Sequence, residues 1–361
     1  RGAAMTGLRE PGDGVDNLLT KCMKVKAGET ALIVCEDPAL GWYDAAASGM
    51  VRTALEKIGC RVSLIKVGGP DQPLPAHYEH DLAAHDVIVY LARVGDQDRF
   101  TDKLPGKTVA MLYARNEKTL KSPYAATDHD AMVALKTAVD AVSRASERVT
   151  ISCPMGTRLE GLVEMEDDTD GEVAVKRFPL CVPQPVLTRA ISGQVALARW
   201  LTPTGSRSYS PAAARIDGIV MAQVDHGRIA GFEGDADSVR AIEQHYQMVS
   251  DRFDLDKHAI HSWHAGIHPA CFFDGNIDDD PDRWSNNIFG NPRFLHFHTC
   301  GRTPPGEICW MVLDPTISFD GTPLWLEGRL QPHNFPQTGA AVRNWPELSE
   351  LLSEEPRPVG L

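Results

Sequence analysis

Basic residues are in short supply: 36 Lys and Arg stand against 49 Asp and Glu, for a formal net charge of −13 and a pI near 5.4. A surface that tracks phosphates needs clustered cations, so nucleic acid is not an expected partner. Long apolar runs are also missing. No stretch approaches the roughly 18 residues of a membrane span, and 43% hydrophobic with 24% charged residues is the make-up of an ordinary water-soluble protein with no membrane partner. The eight cysteines (22, 35, 60, 153, 181, 271, 300 and 309) form no Cys-x-x-Cys pair, and no secretory leader is expected ahead of them. Reduced thiols in a cytoplasmic protein are expected, not a disulfide framework. No Gly-x-Gly-x-x-Gly follows the first β-rich run, where "EDPALGWYD" stands instead, and no Gly-x-Ser-x-Gly elbow is present. A dinucleotide site and an α/β-hydrolase triad both lose support. Repeats and low-complexity linkers are absent too.

At 361 residues the chain is expected to hold two domains. The four residues before Met5 read as an extraneous leader and are set aside. The run "TALIVCED" (30–37), a helical pattern through "WYDAAASGMVRTALEKIG" and "RVSLIKVG" (61–68) make a βαβ unit. Further apolar runs at 86–93 and 107–114, a helical segment around 129–146 and a strand at 148–154 extend it into a parallel sheet with helices on both faces. Past residue 155 the texture changes to short alternating runs with polar turns, as in "RLEGLVEME", "GEVAVKRF" and "IDGIVMAQVDHGRIAGFEGD". These are expected as antiparallel strands and hairpins, with one helix at 235–253 opened by Asp235 or Asp237 as N-cap. The fold class is therefore α/β: an N-terminal parallel-sheet domain (5–154) and a C-terminal α+β domain with antiparallel strands (155–361). The Pro-rich tail from about 354 is expected to fray.

Histidine is where the chain concentrates chemistry. Six of the thirteen histidines fall in "HAIHSWHAGIHP" (258–269) and "RFLHFHTCG" (293–301). Such crowding of groups that titrate near neutrality points to something that binds them. Residues two apart on a strand share a face, so His296 and His298 project together, with Cys300 continuing that face. By the same period Glu307 and Cys309 share a face of "GEICWMV". A catalytic ion needs a third ligand from elsewhere. "HAIHSWHAGIHP" is expected to supply it through His264, if the long Asp-, Asn- and Gly-rich loop between the two stretches returns the chain beside the strand it left. The expected metal ligands are thus His264, His296, His298 and Glu307, with His261, His268 and Glu307 as acid–base candidates. His77, His80, His85, His129, His226 and His245 read as structural. The acidic run "DGNIDDDPDR" lacks the EF-hand glycine and terminal glutamate and reads as a solvated loop. Mixed His and carboxylate ligands suit Fe(II), Zn²⁺ or Mn²⁺; two His and one carboxylate with open positions is the pattern of non-haem iron oxygenases, while a Cys ligand would favour zinc.

"LLTKCMKVKAGETALIV" near the start resembles the opening of the aminopeptidase T family, and the later order is similar as well: "DHGRIAGFEG", a helix, the Gly-Ile-x-Pro turn of "AGIHP", "GNI", a "H…CG" strand and "ISFDG". The family includes a branch similar to the iron-dependent 2,5-dihydroxypyridine 5,6-dioxygenases. The resemblance implies an α/β first domain, a metal-dependent activity and a homodimer. The family's ligands are not reproduced residue for residue. Its His-x-Asp pair falls where this chain has Glu307-Ile308-Cys309, and an iron-binding His of the dioxygenases falls near Ser262, between His261 and His264. The two-metal aminopeptidase site is broken, which weakens peptide hydrolysis. A divalent metal is therefore expected, Fe(II) favoured and Zn or Mn as alternatives. The substrate is expected to be small, heterocyclic or aromatic, with oxidative ring opening as the first reading. Trp263, Phe272 and Phe273 are candidates to stack on the ring. A metal-dependent hydrolase of an amide or lactam is the second reading. A metal-free enzyme or binding protein using the histidines as acids and bases is the third.

Overall fold

The computed structural model describes residues 13–98, 104–166, 175–203, 209–354 and 357–361; the four residues before Met5 and the start of "GEVAVKRF" lie outside them. In chain order the strands are β1 Thr30–Glu36, β2 Arg61–Val67, β3 Val87–Leu91, β4 Thr108–Leu112, β5 Arg148–Ser152, β6 Arg158–Leu162, β7 Lys176–Phe178, β8 Val186–Leu187 and β9 Ile191–Leu201. They continue as β10 Ala214–Asp225, β11 Arg228–Glu233, β12 Ile260–Ala265, β13 Phe294–Cys300, β14 Glu307–Leu313, β15 Thr316–Phe319, β16 Thr322–Leu326 and β17 Arg329–Leu330. Two compact units contain them, one of residues 1–95, 101–130 and 174–179, the other of 96–100, 131–173 and 180–361.

The first unit is built on a parallel sheet in the order β2-β1-β3-β4-β7. β1 and β3 are apolar along nearly their whole length and buried, as strands covered on both faces must be. The helix Ala45–Ile58 starts where the Asp44 carboxylate accepts from the Ala47 N–H, and stops at Gly59, whose φ of 101° suits glycine. Its Ala47, Val51 and Leu55, spaced by four, go into the core. At the C-terminal end of the sheet the Glu36 carboxylate takes the Arg93 guanidinium at 2.7 Å, and that guanidinium stacks 4.0 Å from the Trp42 ring.

The second unit has two antiparallel sheets, one in the order β11-β10-β9-β6-β5-β15-β16-β17 and the other β14-β13-β12-β8. β5 was expected to end the parallel sheet, but it pairs antiparallel with β6 and β15; the fifth parallel strand is the distant β7. The expected helix is present as Ala236–Phe253, with Asp235 accepting from the Asp237 and Ser238 N–H groups. The stretch expected as a long loop contains a helix, Pro281–Ile288, opened by Asp280, whose carboxylate accepts from the Arg283 N–H at 3.0 Å. This corrects the solvated-loop reading in part: Asp282 is buried and takes the Asn286 amide at 3.0 Å. The frayed-tail reading also fails at its end. The Phe273 and Ile277 N–H groups donate to the Pro358 and Gly360 carbonyls, and the Trp284 indole N–H donates to that of Val359 at 2.7 Å. No helix among the described residues is long and apolar enough to cross a membrane.

Candidate metal centre

β12, β13 and β14 sort their side chains by strict alternation. Trp263, Phe297 and Trp310 are opposed across the three strands, as are Ala265, Leu295 and Val312, and all six are buried on one face. The helix Ala236–Phe253 bears on this face: its Tyr246 hydroxyl receives the Trp310 indole N–H at 2.7 Å and bonds the Thr299 hydroxyl. The opposite face carries His264 opposed to His296, itself opposed to Met311, and Ser262 opposed to His298, itself opposed to Cys309. One face supplies cohesion and the other supplies donor atoms.

The pairing that makes this possible includes an irregularity. Ile260 pairs with Thr299, yet Ser262 pairs with His298, so β12 spends one extra residue, His261, between the two. That residue is held by its own side chain, whose Nε2–H donates to the Cys300 carbonyl at 2.9 Å. Without the bulge, every β12 side chain beyond it would turn to the other face. At the far end of β12 the chain turns at Gly266. A Cβ there would stand 2.3 Å from the Asn291 oxygen, so only glycine admits the close approach that brings β12 against the entry to β13.

His264, His296 and His298 are brought together. One ligand nitrogen from each lies within 4.8 Å of the other two, and the rings of His264 and His296 are 4.1 Å apart between centroids. The outer nitrogens define the tautomers. His264 Nδ1 lies 3.0 Å from the Pro183 carbonyl oxygen and His298 Nδ1 lies 2.8 Å from Glu307 Oε1. A carbonyl and a carboxylate only accept, so both Nδ1 atoms carry a proton, and in the neutral rings both Nε2 atoms present lone pairs. Those two Nε2 atoms face each other at 3.2 Å. Two lone pairs at that distance repel unless a cation lies between them. Two imidazole nitrogens each ~2.0–2.1 Å from one ion stand roughly 2.9–3.4 Å apart for angles between octahedral and tetrahedral. The His264–His298 pair thus fits a metal ion in both chemistry and spacing, and His296 offers a third nitrogen within 4.8 Å of both.

The other expected site residues are placed differently. Among the described residues none of them brings a ligand atom into the three-imidazole group. Glu307 was expected as a ligand, but its carboxylate sits behind His298, on the nitrogen away from His264, where it orients the ring. The reason is register: Glu307 is opposed to Cys300, one face position beyond His298. His261 holds the bulge. His268 is wholly buried past the Gly266 turn, its N–H bonded to the Gly290 carbonyl. Cys300 and Cys309 are buried, and burial pushes both thiols up, that of Cys300 to about 11. Trp263 points to the apolar face and cannot stack over the triad. The Arg357 and Arg283 guanidiniums lie over Phe272 and Phe273, near the C-terminal residues. Sequence reasoning missed the Pro183 carbonyl, the edge of Phe289 packed 5.8 Å from the His296 ring, and Tyr209, whose hydroxyl donates to the Glu307 carbonyl at 2.7 Å.

No protein-family profile and no curated protein matches the chain. Solved structures do, and two of them are informative. A 2,5-dihydroxypyridine dioxygenase from Pseudomonas putida superposes with a TM-score of 0.60 at 10% identity, over 91% of this chain and 98% of that one. AmpT from Thermus thermophilus superposes with a TM-score of 0.51 at 11% identity, over 89% and 98%. The fold anticipated from the sequence, that of the aminopeptidase T-like proteins and their dioxygenase branch, is the fold this chain has.

Proposed function

We propose that this chain is a metal-dependent enzyme with one ion held by His264, His296 and His298, acting on a small heterocyclic or aromatic substrate. The observation that carries the reading is the pair of Nε2 atoms facing each other at 3.2 Å, each ring fixed by an acceptor on its opposite nitrogen. The first reading of the chemistry is oxidative ring opening with Fe(II). The dioxygenase sharing the fold supports it, and imidazole ligands suit iron as well as zinc. When bound, the ion would offer open positions for substrate and O₂. The chain's own part is to aim three imidazoles. The Pro183 carbonyl and the Glu307 carboxylate do this for two of them, and Phe289 packs against the third.

A second reading, a hydrolase of an amide or lactam, is favoured by a different observation: no carboxylate is in the ligand set, and three imidazoles make the set of zinc sites that activate water. Metal analysis of protein purified without added metal, together with turnover measured in the presence and absence of O₂, separates the readings. Stoichiometric iron with O₂-dependent turnover supports ring opening. Anaerobic turnover with zinc or manganese supports the hydrolase. Active protein that holds no metal overturns both. We further propose a homodimer, on the strength of the family resemblance; light scattering showing a monomer at micromolar concentration would contradict it.

A further inference from the structure

Three imidazoles and one serine form a square. Adjacent positions on the donor face of β12 and β13 make two rows, His264 opposite His296 and Ser262 opposite His298. Cβ atoms of directly opposed residues stand ~5 Å apart, so Ser262 belongs to the same small wall as the triad. Its partner on the other flank is Leu187 of β8, which leaves the imidazoles as its polar neighbours in the sheet. Its hydroxyl makes no hydrogen bond to a described residue, although the residue is only 9% exposed. An imidazole Nε2 lies three bonds beyond Cβ and a serine oxygen only one. An ion held at the Nε2 atoms is therefore farther from the sheet than the hydroxyl, which would meet it through an intervening small ligand.

We propose that the ion's open coordination position lies over the Ser262 corner, and that Ser262 is a positioning residue which hydrogen-bonds the oxygen taken up there, whether of water or of a small carboxylate. This rests on the metal reading above. It makes Ser262 neither a ligand nor a structural filler, and both alternatives predict different behaviour.

The test uses Co(II)-loaded protein, with the visible spectrum reporting coordination and acetate as the titrant. Ser262→Ala should keep Co(II) affinity within about twofold and weaken acetate binding by about five- to tenfold, the loss of one hydrogen bond. Ser262→His should tighten Co(II) binding and abolish the spectral response to acetate, because a fourth imidazole fills the gap. Equal acetate affinity in wild type and Ser262→Ala overturns the inference and leaves the metal site standing. So does a tenfold loss of Co(II) in Ser262→Ala, which would make the serine a ligand. Failure of wild type to bind Co(II) stoichiometrically overturns the metal reading, and this inference with it.

Discussion

Removing the Glu307 carboxylate separates a ligand from a residue that holds one. The carboxylate is buried, and its Oε1 accepts the His298 Nδ1–H at 2.8 Å. His298 is the most exposed of the three imidazoles, its side chain 14% accessible, so packing alone restrains it least. Without Glu307 the ring gains freedom and loses the charge-assisted bond that makes Nε2 a better donor. Partners of this kind contribute about 10- to 100-fold in metal affinity, or about 1.4–2.7 kcal/mol. Glu307→Ala should fall in that range. Glu307→Gln should lie below it, since an amide oxygen still accepts from Nδ1 without the charge. Competition with a chromophoric chelator at pH 7 measures both. Unchanged affinity in Glu307→Ala would refute the positioning role. A changed Co(II) spectrum with a far larger loss would instead return Glu307 to the ligand set.

Replacing His264, His296 or His298 by Ala should abolish metal binding while the far-ultraviolet circular dichroism stays that of wild type, because the core face of the sheet carries none of them; full metal content in any variant would contradict the site. His245 gives a pH dependence of stability: burial lowers its pKa from 6.5 to about 4. As pH falls through 6.5 the unfolded chain takes up a proton that the folded chain refuses until about 4, so stability is whole above this window and drains across it. At about 1.4 kcal/mol per pH unit the loss approaches ~3 kcal/mol. Denaturant unfolding at pH 7 and pH 4.5 should show a smaller drop in His245→Gln than in wild type; equal drops would rule the assignment out. Gly266→Ala should cost about 1–3 kcal/mol by denaturant titration, since the added methyl meets backbone atoms at 2.3 Å; a neutral change would mean that the approach of β12 to residues 290–291 is not tight.

Local periodicity was legible in the sequence, and pairing partners were not. The alternation of "FLHFHTC" places His296 and His298 on one face whatever lies beside them, and the structure keeps them there. Nothing local distinguishes β5 as a parallel from an antiparallel strand: its buried Val149 and Ile151 alternate with exposed residues in either arrangement. What decides is that β15, more than 160 residues later, docks on it, and that β7 takes the vacated edge beside β4. The helix Pro281–Ile288 did announce itself, through Asp280 as N-cap and Pro281 in the first turn. The acidic residues around these two masked that signal, and counting charge instead of caps turned a helix start into a loop.

Glu307 and His261 were picked out by the sequence but are placed in other roles for a related reason, and their placement explains how the site is assembled. The period of two puts Glu307 on the donor face, but which residue of β13 it opposes depends on register, and one row separates binding the ion from orienting a ligand. The period of two also puts His261 and His264 on opposite faces with no indication of what aligns β12 to β13. The bulge at His261 does that, and the imidazole that sequence marked as an acid–base candidate is the group that ties the bulge to the Cys300 carbonyl. The crowding of histidines therefore has two physical causes. Three of them converge, with one ligand nitrogen from each within 4.8 Å of the other two, and a fourth sets the strand register without which His264 would turn to the apolar side and Trp263 to the donor side.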